Sequence, residues 1–197
     1  MLLAPVSVDR PHASNRIGIR DRLKAATSAA HHALDERLSV LDLTCTAHYR
    51  CFLQANAAAL LPLEAALEQA RVAEMFEDWP LRARSDAIIA DLGRLNGTAV
   101  PLPPPAEPLD RCAMLGTLYV LEGSRLGAAY LVRIVAASVD ARVRAATQYL
   151  RHGTGQGLWR SFLARLEREP VAADDEKRII VSAQQAFAMF AKAVAAI

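Results

Sequence analysis

Residues 115–135 read LGTLYVLEGSRLGAAYLVRIV, an apolar helical stretch that carries Gly123 and Gly127 one turn apart. Glycine inside a helix costs about 1 kcal/mol against alanine, so two of them four residues apart need a physical reason. One reason is the close approach of a second helix. The other is a bent helix lying over something flat, with the missing Cβ atoms leaving room. Tyr119, Gly123 and Gly127 fall along one face of the stretch, and Leu126 and Tyr130 flank it.

Upstream, residues 23–38 read LKAATSAAHHALDERL, with Leu23, Thr27, Ala30/His31, Leu34 and Leu38 at a 3–4 spacing. That spacing predicts an amphipathic helix with this stripe turned inward. Neighbouring side chains on a helix point about 100° apart, so His31 and His32 cannot share one role. His31 goes with the inward stripe, while His32 sits nearer the polar face with Lys24, Ser28 and Asp35. Taken alone, an inward histidine more often serves the core than a metal. Asp35 changes the balance. At i+4 its carboxylate can take the imidazole Nδ1–H of His31, set the tautomer and leave Nε2 for iron. His12, His48 and His152 need no such reading, because solvent exposure or ordinary packing explains them. A metal-competent imidazole together with a helix bared of side chains suggests a slot for haem.

Working outward, the chain of 197 residues is 53% hydrophobic and 22% charged, enough for one domain with a sizeable core. Formal net charge is +2, with lysine and arginine scattered rather than gathered in a stripe, and aromatics are 6%. Those features exclude a phosphate-tracking or base-stacking surface, so no nucleic-acid partner is expected. Cys45, Cys51 and Cys112 form no Cys-x-x-Cys, and read as reduced thiols of a cytoplasmic protein. No uncharged apolar run approaches the roughly 20 residues that span a bilayer, so no membrane association is expected.

Residues 1–16 lack periodicity and a signal-peptide core, and read as a flexible arm preceding one domain, 17–197. Within that domain the spacing predicts helices near 17–38 and 45–70, the latter capped by Thr44 and either kinked or broken at Pro62. A shorter helix near 83–95 precedes the stiff connector PLPPPAEP (101–108). One long helix over 109–138 follows, then helices near 139–150, 157–168 and 173–196, the second of these introduced by the loop HGTGQG. Strand-type alternation is absent. The expected fold is a single all-α domain with haem between its first helix and a kinked later one.

The stretch LKAATSAAHHALDERL resembles the first helix of haem oxygenases, whose pattern is LKxATxxxH followed by an acidic residue. LYVLEGSRLGAAYL resembles the distal helix of the bacterial, biliverdin-producing branch, and GLWRSFLARLE and AQQAFAMF resemble the closing helices. The resemblance implies that His31 ligates the iron, Asp35 holds it, and Gly123, Ser124 and Gly127 form the catalytic distal face. It also places Lys24, Thr27, Tyr119, Leu126 and Arg133 around the haem, with Lys24 and Arg133 meeting propionates. Two departures from other members stand out. Ser124 occupies the position of an aspartate in animal members, and Ala128 that of a further glycine.

The same resemblance implies a reaction in which haem is both cofactor and substrate. Iron, O2 and electrons from a ferredoxin or an NAD(P)H-dependent reductase would open a meso carbon, giving biliverdin, carbon monoxide and ferrous iron. A biliverdin-accepting photoreceptor is a further implied partner. Two other readings stay open on sequence: a haem carrier or sensor on the same fold, and a helical hydrolase of the thiamin-salvage kind. The hydrolase would have to use Cys112 as its nucleophile.

Overall fold

The computed structural model describes residues 18–197, so the expected arm over 1–16 and His12 lie outside the described residues. Helix α1 spans Ile19–Ser39 and α2 spans Thr46–Gln69. Two short pieces follow: α3 over Trp79–Arg82 and α4 over Ser85–Arg94. Helices α5 (Arg111–Gly123) and α6 (Arg125–Ala136) come after the proline connector, which is non-helical as expected. Then come α7 (Ala141–Ala145), α8 (Gln148–Arg151), α9 (Leu158–Arg168) and α10 (Ala173–Val194). Among the described residues there is no strand, and no helix is long and apolar enough to cross a membrane.

Four expectations need correction. The long helix over 109–138 is two helices, α5 and α6, broken at Ser124. The Gly123–Ser124 pair weakens the ladder there, and the Ser124 hydroxyl donates to the Leu121 carbonyl at 2.7 Å, a known way to bend a helix. Pro62 does not interrupt α2, which runs through it unbroken. Pro62 lies buried among apolar neighbours on α2, where packing offsets the lost hydrogen bond. Thr44 is not the cap of α2; Cys45 holds that position, and the Thr44 hydroxyl donates to Asp42 Oδ1 at 2.6 Å. The helix expected over 139–150 divides into α7 and α8. Fully buried Asp91 accepts from the Tyr149 amide at 2.8 Å and so ties the start of α8 to α4.

The core is assembled on α10. Arg22 of α1 pairs with Glu176, the Ala26 carbonyl accepts from Gln184, and the His31 ring lies edge-on to Phe187. On α5, Cys112 contacts Asp175, and Gly116 lies against Ile179 and Ala183. Numbers rise together in every pair, so α1, α5 and α10 run in the same direction. At the common helical rise, His31 and the 119–123 turn of α5 therefore stand at the same height along α10. That alignment sets the site.

Gly116 is the residue that permits it. A Cβ there would collide with the Ile179 carbonyl and come within 2.8 Å of the Ala183 nitrogen. Backbone cannot give way as a flexible side-chain end can. We expect Gly116→Ala to cost about 1–3 kcal/mol, or about 2–10 °C in Tm, by thermal unfolding. Gly127→Ala, where an added Cβ meets nothing within 4 Å, should instead raise Tm by about 1–4 °C, because it removes the helical cost of glycine without a clash.

Candidate functional site

The α1 stripe begins as expected and ends at a mouth. Leu23 and Thr27 are buried, whereas Ala30, Leu34 and Leu38 are only half covered. The Thr27 hydroxyl donates to the Leu23 carbonyl at 2.8 Å and lies beside Tyr119 of α5. Burial raises the pKa of the Tyr119 phenol, and the Thr27 hydroxyl and the Arg20 charge oppose that rise. One turn beyond this contact stand His31 on α1 and Gly123 on α5.

His31 does not enter the core as the stripe alone suggests; its side chain is 60% exposed. The ring rests edge-on against Phe187 at 6.1 Å between centroids, and its Nδ1 is 3.0 Å from Asp35 Oδ2. With Nδ1–H donating to Asp35, Nε2 keeps an unengaged lone pair. His32 is also exposed, and its ring stands perpendicular to that of His31 at 6.4 Å. Among the described residues no three His, Cys, Asp or Glu side chains gather to hold a metal ion. A metal reaching His31 must therefore bring most of its own ligands, as a porphyrin does.

Across from His31 the glycines are bare. An added Cβ at Gly123 would touch only the Trp159 ring, at 3.7 Å, and one at Gly127 would touch nothing. Close helix packing is thus not why these two glycines are present. Leu126 and Tyr130, beside them on α6, are 64% and 67% exposed, a cost that a flat apolar ligand would remove. Tyr119 stacks obliquely on Trp159 at 5.6 Å, closing the inner end. Ser124 has its hydroxyl hydrogen committed to Leu121, so it can accept from a water but not donate to a ligand. Lys24 and Arg133 are exposed, and each lies roughly 10 Å along its helix from His31 and Gly127 respectively.

Behind the distal break lies a set of buried charges that sequence spacing did not reveal. Arg82, Glu122, Glu64 and Arg84 are each at most 4% exposed. Arg82 grips Asp78 and bridges to Glu122 at 3.0 Å, and Arg125 meets the same Glu122 at 3.0 Å. Glu64 accepts from the amides of Arg84 and Ser85 at 2.9 Å, which satisfies donors at the start of α4. Arg125 also donates to the His152 carbonyl at 3.2 Å and approaches its Nδ1. Asp78–Arg82 and Glu122–Arg125 lie within one helical turn, but the contacts that join different elements span 20 to 40 residues, beyond any local signal.

A groove of about 640 Å³ between the proline connector and α10, lined by Leu102, Pro104, Thr117, Gln185 and Met189, contains none of the expected site residues. Cys112 is buried, and burial and Asp175 raise the pKa of its thiol, so it is not an activated nucleophile.

Comparison with known proteins gives a consistent picture. The family profile described as Heme oxygenase matches residues 18–196. Heme oxygenase PigA of Pseudomonas aeruginosa is 30% identical over 187 residues, covering 90% of this chain and 92% of the relative. A Heme oxygenase of Xanthomonas campestris pv. campestris is 33% identical over 120 residues, 60% of this chain and 71% of the relative. The NO- and CO-bound heme oxygenase from Neisseria meningitidis has the same fold, with a TM-score of 0.74, 24% identity and 90% coverage of both chains. The heme oxygenase from Leptospira interrogans aligns with a TM-score of 0.68 at 16% identity, over 92% of this chain and 100% of that one.

Two measurements test the site. We expect His31→Ala to abolish the ligated hemin spectrum and His32→Ala to leave it nearly unchanged; the reverse result would place the ligand on the other face. Burial, then Arg125 and Arg84, push His152 below its ordinary 6.5, with Glu122 opposing. The folded state therefore favours neutral His152, and its contribution is lost as pH falls below the unfolded value. His152→Gln should flatten the loss of stability between about pH 7 and 5 in denaturant titrations.

Proposed function

The chain belongs to the haem oxygenase family, and from that premise we propose how its own residues bind haem and direct its opening. The activity is that of a haem oxygenase, with haem as the substrate. The observation that carries the residue assignments is the pairing of His31, its Nδ1 held by Asp35, with a glycine face at the same height along α10.

His31 supplies Nε2 to the iron. A neutral imidazole pushes less electron density than a thiolate, which disfavours the rapid O–O cleavage that would divert oxygen from the ring. Asp35 keeps the imidazole in the tautomer that ligates, and Phe187 supports its edge. Exposed Leu126 and Tyr130 would lie against the macrocycle, and the bare Gly123 and Gly127 would leave room beside it for O2. Held there, haem would supply the redox iron and, as substrate, the meso carbon that is opened.

With its hydrogen donated to the Leu121 carbonyl, the Ser124 hydroxyl would serve the site as an acceptor and, with distal backbone groups, would hold a water as the proton source. Exposed Lys24 and Arg133 would be the cations available to the propionates, while Tyr119 would stand at the haem edge. Electrons come from a ferredoxin or an NAD(P)H-dependent reductase. The products are biliverdin, carbon monoxide and ferrous iron, with the bilin available to a photoreceptor or for excretion.

The test is direct. The purified chain with one equivalent of hemin and a reducing system in air should lose its Soret band while a broad red biliverdin band grows. A stable ferrous haem spectrum would instead identify a carrier. Gly127→Leu should block turnover before it blocks hemin uptake, and a normal biliverdin yield from this variant would refute the slot.

A further inference from the structure

Arg84 is 4% exposed, and among the described residues its guanidinium has no carboxylate within ion-pair distance. Its neighbour Glu64 spends its oxygens on the Arg84 and Ser85 amides and the Ser85 hydroxyl instead. A buried guanidinium with no direct ion pair is costly, so its hydrogen bonds must offset that cost. They lie at the break between α5 and α6. Nη2 donates to the Leu121 carbonyl at 2.8 Å and to Ser124 Oγ at 3.1 Å, one acceptor on α5 and one at the break itself. The guanidinium also lies over the Tyr149 ring at 5.1 Å, and its Nε has no partner.

Two physical effects favour this placement. The carbonyl end of α5 carries the negative end of the helix dipole, which attracts a cation. The break also frees the Leu121 carbonyl for side-chain donors, and Arg84 and Ser124 both occupy it. Arg84, at the entry to α4, is thereby fixed to α2 through Glu64, to α8 through Tyr149, and to the distal break through one nitrogen.

We propose that Arg84 is a positioning residue that fixes the angle between α5 and α6, and through it the height of the Gly123–Gly127 face over haem. It touches neither haem nor oxygen. The proposal rests on the haem oxygenase reading. It adds that the glycine face is held at working height by a charged fork from α4, and not by apolar packing alone.

Three variants at one position test it: Arg84→Met removes the charge and both donated bonds, Arg84→Gln removes the charge alone, and Arg84→Lys keeps a cation. Hemin affinity by Soret titration should stay within about threefold of the parent in all three, since His31 is untouched. Turnover of the saturated complex should fall about tenfold to a hundredfold in Arg84→Met, the scale of a displacement near 1 Å. Arg84→Lys should recover a substantial part of that loss. The pH at which the ferric haem's bound water deprotonates should shift by at least half a unit in Arg84→Met, because the distal face has moved.

Parental turnover and an unshifted transition in folded Arg84→Met would overturn the proposal. So would a parallel loss of hemin affinity that Arg84→Lys fails to restore, since that is the mark of a merely structural residue. If Arg84→Met does not fold, the comparison moves to Arg84→Gln, which removes the charge but keeps a polar donor. There, reduced turnover at unchanged hemin affinity in Arg84→Gln, restored in Arg84→Lys, supports the proposal, and parental turnover in Arg84→Gln overturns it. Failure of the unmutated chain to form biliverdin would defeat the haem oxygenase reading itself, a result separable from any of these.

Discussion

Where α5 crosses α10, the two backbones meet at Gly116 with no side chain between them. That contact sets how close the helices lie and which residues stand level with one another. Because α1 lies on the same helix and runs the same way, a single register along α10 brings Thr27 beside Tyr119. One turn further on, it brings His31 opposite the start of the distal break. A slip of one helical turn in this crossing would leave the imidazole facing ordinary core. Every later feature of the site inherits this alignment.

The second constraint is electrostatic. Arg82, Arg125 and Glu122 form a buried cluster just behind the break, and Asp78 closes it toward solvent. Such groups gain little net stability over apolar packing, but they tolerate very few geometries. They suit a place where a helix must bend by a set amount and stay bent. The distal face, by contrast, is nearly empty. Gly127 meets nothing, and Leu126 and Tyr130 are open to solvent. A rigid polar back and a bare apolar front together make a surface that can receive a flat ligand without first rearranging.

Some of this was legible in residue order alone. The histidine, its i+4 aspartate and the paired glycines could be read because each signal lies within two helical turns, where spacing maps directly onto geometry. The all-helical architecture was legible for the same reason. The boundaries were less so: the break at Ser124 depends on where a hydroxyl donates, and the division of 139–150 depends on Asp91 of α4. Pro62 looked like an interruption, yet α2 carries it because its surroundings are apolar and well filled.

The sequence by itself determined which atoms are available: one imidazole with its orienting carboxylate, and a helix stripped of side chains at two points a turn apart. These follow from residue identity and local spacing. Only the tertiary structure decided that Gly116 is a packing glycine and that Gly123 and Gly127 are not, since the distinction lies in what each would strike. It also decided that Arg84, unremarkable in the chain, reaches the distal break from 37 to 40 residues away. Contacts at that separation are set by how helices stack, and helical spacing carries no record of them.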